Sequence, residues 1–341
     1  MATRLGLSSF GGPVAHLAYF RREYVERRGW VDDRTYADLV ALFQSVPGPT
    51  SSEVGIAIGL LRAGPLGAFL AWVGFTAPSA LLMLAFGSAQ LQPAQLAWLF
   101  TLLKLVALVV VSLAVWRMAR ALAPDASRAA IALAATVAVL LVPGSAMQIA
   151  VIAAAALIGA LFLTVPASAP GMSVRVRLPR AVAIGALVLY VGLLFGLPVL
   201  RAVSGSADVA LFDSFYRASA LVFGGGHVLL PLLEPEVVTP GLVSLDRFVA
   251  GYGAVQLVPG PINTFAAYLG VLIDGARGAL LALVAVFLPA FLLVFASLPL
   301  WSALRERPLA RRALRGVNAA VVGLLLAALV PIARSLAAAV L

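Results

Sequence analysis

The chain has 341 residues, of which 62% are hydrophobic and 11% charged, with a formal net charge of +10 and a mean hydropathy of +1.05. Soluble domains carry about 25% charged residues, so a chain this apolar does not fold around one water-facing core. The arginines lie in short connectors between apolar runs, where cytoplasmic loops put them, rather than on a nucleic-acid face. The lack of cysteine excludes disulfide frameworks and thiolate metal sites.

In chain order, "MATRLGLSSFGGP" has no long apolar run, so it is not a cleaved signal peptide. A basic connector follows, with Arg21, Arg22, Arg27, Arg28 and Arg34. The apolar stretch 36–62 is interrupted by Pro47-Gly48-Pro49, which predicts two half-helices, because proline removes a donor and clashes with the preceding turn. Thr50, Ser51 and Ser52 are placed as N-caps of the second half. The runs Ala63–Leu103, Ala129–Val174, Ala181–Leu200 and Gly278–Leu304 carry no Asp, Glu, Lys or Arg. A bilayer crossing takes about 20 such residues, which gives spans near 65–88, 95–116, 129–143, 147–165 and 181–203. No short alternating segments suggest a β-barrel. The fold class is an all-α polytopic membrane protein.

The chain also repeats. "FGGP" at 10–13 aligns with "FGGG" at 223–226, and Glu23 with Glu236, both at an offset of 213. Pro47-Gly48-Pro49 aligns with Pro259-Gly260-Pro261 at 212, and Pro78 with Pro289 at 211. Two homologous repeats are expected, 1–123 and 213–341, with further helices and a basic cytoplasmic linker in 124–212. Equivalent loops differ in charge. The basic connector after the first glycine motif corresponds to one with Arg247, Glu234, Glu236 and Asp246, whereas the uncharged 88–95 corresponds to Arg305, Arg307, Arg311, Arg312 and Arg315. By the positive-inside rule the repeats have inverted topology, and the odd number of intervening spans agrees where the Pro-Gly-Pro and FGGG segments are both re-entrant or both cross fully. That orientation puts 18 of the 24 basic residues on the cytoplasmic side.

In transporters with inverted repeats, broken helices meet near the midplane and form the substrate site. A helix N-terminus there presents free N–H groups to an anion. Candidate substrate-binding residues are therefore Gly48, Thr50, Ser51 and Ser52 in one repeat and Gly260, Asn263 and Thr264 in the other, beside the helix-breaking Pro47, Pro49, Pro259 and Pro261. Gly11, Gly12, Gly224 and Gly225 let backbone approach a ligand, or equally serve helix packing. Gln44 and Gln256, three residues before each Pro-Gly-Pro, could hydrogen-bond an oxyanion. His16 and His227 could donate to an anion, carry a proton, or bond structurally. Lys104, about nine residues into an apolar span, is a functional candidate by its cost, or else a lysine snorkelling or paired with a carboxylate such as Glu53. Glu53 itself is either a dipole complement or the proton-coupling acid. Arg21 and Arg22 set topology or form an anion funnel. No H-E-x-x-H, Walker A, haem or dinucleotide motif is present, so no enzyme activity, metal or cofactor is expected.

"SSFGGPVAHLAYFRREYVERRGWVDDRTYADLVALFQSVPGPTSSEVGIAIGLLRAGPLGAFLAWVGFTAPSALL" resembles the N-terminal half of the chromate ion transporter family, and "FGGGHVLLPLLEPEVVTPGLVSLDRFVAGYGAVQLVPGPINTFAAYLG" its C-terminal half. The motif residues that match are Phe10 to Pro13, His16, Arg21, Gln44, Pro47 to Pro49, Phe223 to His227, Gln256 and Pro259 to Pro261. The resemblance implies a bacterial inner-membrane secondary transporter that exports chromate, with sulfate as the competing look-alike. Its expected partners are chromate, sulfate and the lipid bilayer, with no nucleic acid; a homodimer is left open. The alternatives are a sulfate or other oxyanion carrier and an anion channel.

Overall fold

The computed structural model describes residues 1–89, 96–165, 178–305 and 307–340. The uncharged connector at 88–95 and the basic linker at 175–180 fall partly outside these residues. Every element among them is helical. The first is α1 (Ala2–Ser8), and α2 (Gly12–Phe20) runs into a π turn at Arg21–Arg27. Then come α3 (Asp33–Phe43), α4 (Thr50–Ser88), α5 (Ala97–Leu122), α6 (Ala126–Leu141), α7 (Ser145–Phe162), α8 (Arg180–Ser204) and α9 (Ala207–Ala220). The chain continues through α10 (Leu229–Val237), α11 (Leu245–Leu257), a 3₁₀ turn at Ile262–Thr264, α12 (Phe265–Arg305), α13 (Pro308–Ala327) and α14 (Leu329–Val340). Starts follow the sequence where it offers a cap: Asp32 accepts from Thr35 N at 2.7 Å, and Asp125 from Arg128 N at 2.9 Å.

Six helical segments among the described residues are long and apolar enough to cross a membrane, and α6 is a shorter apolar helix. The five spans expected between 65 and 203 coincide with the second part of α4 and with α5 to α8. On α5 the exposed large hydrophobic side chains are Trp98, Leu102, Leu105, Val109, Leu113 and Trp116. The two tryptophans are about 27 Å apart along the axis, close to the hydrocarbon thickness of about 30 Å. That is the spacing of an aromatic belt at each interface.

α4 is not one rod. A straight 39-residue helix would be about 58 Å long, twice what the bilayer requires. It breaks at Ala63 (φ −144°) and Gly64 (φ 65°, ψ −159°). Gly64 takes the left-handed conformation that costs glycine little. Gly59 and Gly67 then face each other so closely that a Cβ on either would land on the other's carbonyl oxygen. Residues eight apart in a continuous helix are about 12 Å apart, so the chain reverses here. The same device recurs in α12, at Asp274 and Gly275 (φ 56°, ψ −150°), with Gly270 against Gly278.

The reversal fixes the path through the first Pro-Gly-Pro. Arg62, at the end of α4's short arm, places its guanidinium 5.7 Å from the ring of Trp30, which precedes α3. The chain thus enters along α3, turns at Pro47-Gly48-Pro49, and returns along 50–62 to the level where it began. Each arm is too short to cross alone, so the pair is re-entrant.

The chain forms two compact units. The first comprises residues within 1–91, 171–226 and 254–301. Its core packs Phe20, Leu39, Phe43, Ile56, Ile58 and Phe75 with Ala290 and Val294. Trp72 meets Phe287 and Phe291 edge-on at 5.5 Å. The second comprises residues within 92–170, 227–253 and 302–341. There α13 lies against α7 and α6 through glycine: Gly316 touches the Ala155 backbone and Gly323 that of Ala132. Such small-residue contacts let helix backbones approach without a water-driven core.

Candidate functional site

Both Pro-Gly-Pro turns and both glycine motifs up to Gly226 belong to the first unit, and they interlock. Gly48 N–H donates to Val222 O at 2.6 Å, and Gly260 N–H donates to Ser9 O at 3.0 Å. In the sequence alignment Gly48 matches Gly260 at an offset of 212, and Ser9 matches Val222 at 213. Each Pro-Gly-Pro glycine is therefore bonded to the residue preceding the other half's Phe-Gly-Gly. Both glycines hold positive φ, 136° and 108°, which only glycine adopts readily. Neither amide is left for a ligand.

What the turns do leave open is the start of each following helix. Pro49 is the N-cap of α4 and Pro261 that of the second turn, and no side chain caps either. The expectation that Thr50, Ser51 and Ser52 serve as caps is corrected, because Pro49 places them inside the first turn. Thr50 Oγ1 instead donates to Phe43 O, closing the end of α3 at 3.0 Å. Thr264 Oγ1 donates to Pro261 O at 2.8 Å. Thr50 to Glu53 and Pro259 to Thr264 are buried. The uncapped amides thus face a protein interior, the setting in which a helix N-terminus favours an anion.

Several polar atoms lack a partner there. Ser52 Oγ, Asn263 Nδ2 and both Glu53 oxygens are buried without a hydrogen bond among the described residues. Ser9 Oγ, Thr76 Oγ1 and Gln256 Nε2 share that state. Buried polar groups are normally paired, so these unpartnered atoms make the two helix starts the candidate binding region. Asn263 Oδ1 lies beside Gly226, and Ser79 packs against Gly260 while its hydroxyl donates to Thr76 O at 3.1 Å.

His16 joins the first glycine motif to this region. Its Nε2 lies 3.2 Å from Ser9 O and its Nδ1 3.3 Å from Ser51 Oγ. A carbonyl only accepts, so Nε2 carries the proton and Ser51 donates to Nδ1 in the neutral ring. Phe75 meets the imidazole edge-on at 5.3 Å. Ser9 O thus accepts from both Gly260 and His16.

The other expected residues stand apart. Gly11, Gln44 and Gly224 are exposed, and Gly12 and Gly225 half-buried. His227 belongs to the second unit, with Nδ1 2.8 Å from the Tyr252 hydroxyl. Lys104 is also in the second unit, buried at 3% exposure. Its ammonium donates to Asp246 at 2.6 Å and to Ser335 O at 3.1 Å, and Ser335 Oγ donates to the same carboxylate at 2.8 Å. The carboxylate that pairs with Lys104 is therefore Asp246 and not Glu53. Arg21 is tied to Glu26 and Asp33 at 2.7 and 2.8 Å. Sequence reasoning missed Ser9, Thr76 and Ser79. The available signal was that Thr76 and Ser79 are the only hydroxyls inside the apolar run 65–87.

A profile of the chromate transporter family, described as "Chromate transporter", matches residues 1–160 and 209–341. The chain is 30% identical to the chromate transport protein of Pseudomonas aeruginosa, over 97% of this chain and 79% of that one. It is 28% identical to the chromate transport protein of Cupriavidus metallidurans, over 97% and 80%. An uncharacterised transporter of Methanocaldococcus jannaschii is 27% identical over 95% and 81%. No solved structure matches. A helical, multi-pass membrane chain matched along nearly its whole length by this profile belongs to the chromate transporter family.

Proposed function

We propose that this protein is a secondary transporter that moves chromate, a tetrahedral oxyanion, out across the bacterial cytoplasmic membrane and so confers chromate resistance. The anion binds between two inverted repeats, 1–123 and 213–341, at the buried helix starts that follow Pro-Gly-Pro. Access alternates by one repeat rocking against the other. The observation that carries this reading is the set of unpartnered, buried donors, Ser52 Oγ and Asn263 Nδ2, beside two uncapped helix N-termini. The reciprocal glycine bonds and the opposite charge of equivalent connectors support the inverted relationship, and the names of the curated relatives support the substrate. Sulfate shares chromate's charge and shape and is the expected competitor.

Labelled chromate uptake into liposomes, with sulfate, phosphate and chloride as competitors, tests this proposal. Saturable uptake inhibited mainly by sulfate is expected. Removing a hydrogen bond to a charged ligand costs about 1.5–3 kcal/mol, so Ser52→Ala with Asn263→Ala should raise the KM by about tenfold or more. An unchanged KM in the folded double variant refutes the site. Flux that never saturates favours a channel.

A further inference from the structure

Glu53 is fully buried on the first turn of α4, and neither carboxyl oxygen has a hydrogen-bond partner among the described residues. Its side chain folds back on the Pro-Gly-Pro turn, where a Cβ on Gly48 would clash with Oε1. Among the described residues no lysine or arginine pairs with it. The titratable groups around it are Tyr190 of α8, which donates its hydroxyl to Ala220 O at 2.6 Å, and His16 of α2, bonded to Ser51 two residues before it. An ionised carboxylate with no partner in such a place costs far more than a neutral one, so Glu53 is a carboxylic acid in this conformation. The repeat sharpens the point. The position equivalent to Glu53 is Phe265 and that equivalent to His16 is Leu229, so only one of the two Pro-Gly-Pro turns carries an acid.

We infer that Glu53 is a single proton-binding residue whose protonated form the oxyanion requires, so that one proton moves with each anion. The inference rests on the transport reading above. When the site opens to water on either side, Glu53 is free to ionise. A dianion entering beside the turn is repelled by the carboxylate and accepted by the acid. Binding and protonation then favour each other, and the linkage is reciprocal. A dianion accompanied by one proton crosses with half the charge it would carry alone.

The test uses sulfate, which stays dianionic over the range studied, on the purified full-length protein from about pH 6 to pH 9, spanning the ordinary histidine value and beyond. Wild-type affinity should fall with rising pH, by up to tenfold per unit once Glu53 ionises in the empty carrier. Adding sulfate to weakly buffered protein in that range should take up about one proton per anion, a readout that needs no variant. Glu53→Gln should bind sulfate with a flat profile, whereas Glu53→Asp and His16→Gln should keep the slope. An infrared carbonyl band of a buried carboxylic acid should be present in the wild type and absent in Glu53→Gln. A slope unchanged in Glu53→Gln, affinity that rises with pH, or a missing band overturns the inference. If the wild type binds neither sulfate nor chromate at any pH, the transport reading fails instead, and the band still reports whether Glu53 holds its proton.

Discussion

Lys104 Nζ lies 2.6 Å from Asp246 Oδ1, joining α5 to α11 by an ion pair whose two ends differ in burial. The lysine side chain is 3% exposed and the aspartate 46%. Breaking a buried pair costs about 3–5 kcal/mol when it strands a charge away from water. Asp246→Asn strands the lysine, whereas Lys104→Met strands only a carboxylate that already meets solvent. Asp246→Asn should therefore lower the unfolding temperature more than Lys104→Met, and the double variant should recover most of the loss. Thermal unfolding in detergent measures this. Equal losses, or no recovery, would contradict the pairing, and unchanged oxyanion affinity in folded Lys104→Met would confirm that the lysine is structural.

The hairpin glycines make a second prediction. A methyl on Gly59 or Gly270 would overlap a backbone carbonyl across the turn, which has no flexible end to yield. Forcing extra volume into close packing costs about 1–3 kcal/mol or more. Gly59→Ala and Gly270→Ala should each lower stability by at least that amount. Gly185→Ala, on α8 with nothing within 4 Å, should be neutral or slightly stabilising, since alanine is the better helix former. Comparable melting temperatures for all three would argue against the reversal in α4 and α12.

A third prediction concerns acid. Glu23 accepts from Arg28 and from Arg27, each at 2.8 Å. Chiefly the Arg28 hydrogen bond, with Arg27 adding to it, holds the Glu23 carboxyl below its ordinary value of about 4.5. A depressed folded-state value means the ionised form is favoured by folding. The stabilisation is present above the ordinary value and is lost as pH falls through the depressed one. Unfolding temperature should drop on acidification below about pH 4.5, and Glu23→Gln should lose part of that drop. A variant with the wild-type acid dependence would exclude Glu23 as its source.

The long spans were legible because a bilayer imposes length and apolarity, both one-dimensional properties of sequence. The helix breaks at 47–49 and 259–261 were legible because proline acts locally. The interruption at 62–65 was legible from Arg62 and Gly64-Pro65, but the reversals at 63–64 and 274–275 were not, since a charge, a glycine or a proline breaks a helix without saying which way the chain then goes. Only the packing of Gly59 on Gly67 shows that the chain turns there. The partner of Lys104 was hidden for a related reason. Asp246 is 142 residues away, and spacing along a chain says nothing about which of several carboxylates approaches a buried amine. The polar groups of the candidate site were half legible. The hydroxyl and amide residues after Pro-Gly-Pro were in view, but which of them are already occupied is a matter of tertiary hydrogen bonding. Gly48, Gly260, Thr50 and Thr264 are occupied, whereas Ser52 and Asn263 are not.

The crossed bonds of Gly48 and Gly260 also bear on the order in which the protein is made. Gly48 needs the carbonyl of Val222, which leaves the ribosome after more than half of the chain has followed Gly48. At about 5–20 residues per second, the first Pro-Gly-Pro turn waits roughly ten to thirty seconds, inserted but unlatched. During that time its amide has only water, lipid head groups or neighbouring protein to answer it. Synthesis of Val222 then supplies the first latch, and Gly260, arriving soon after, closes on a Ser9 that has been waiting longest of all. Truncated chains ending before residue 222 should therefore be inserted yet readily proteolysed near 47–49, and those extending past 260 protected.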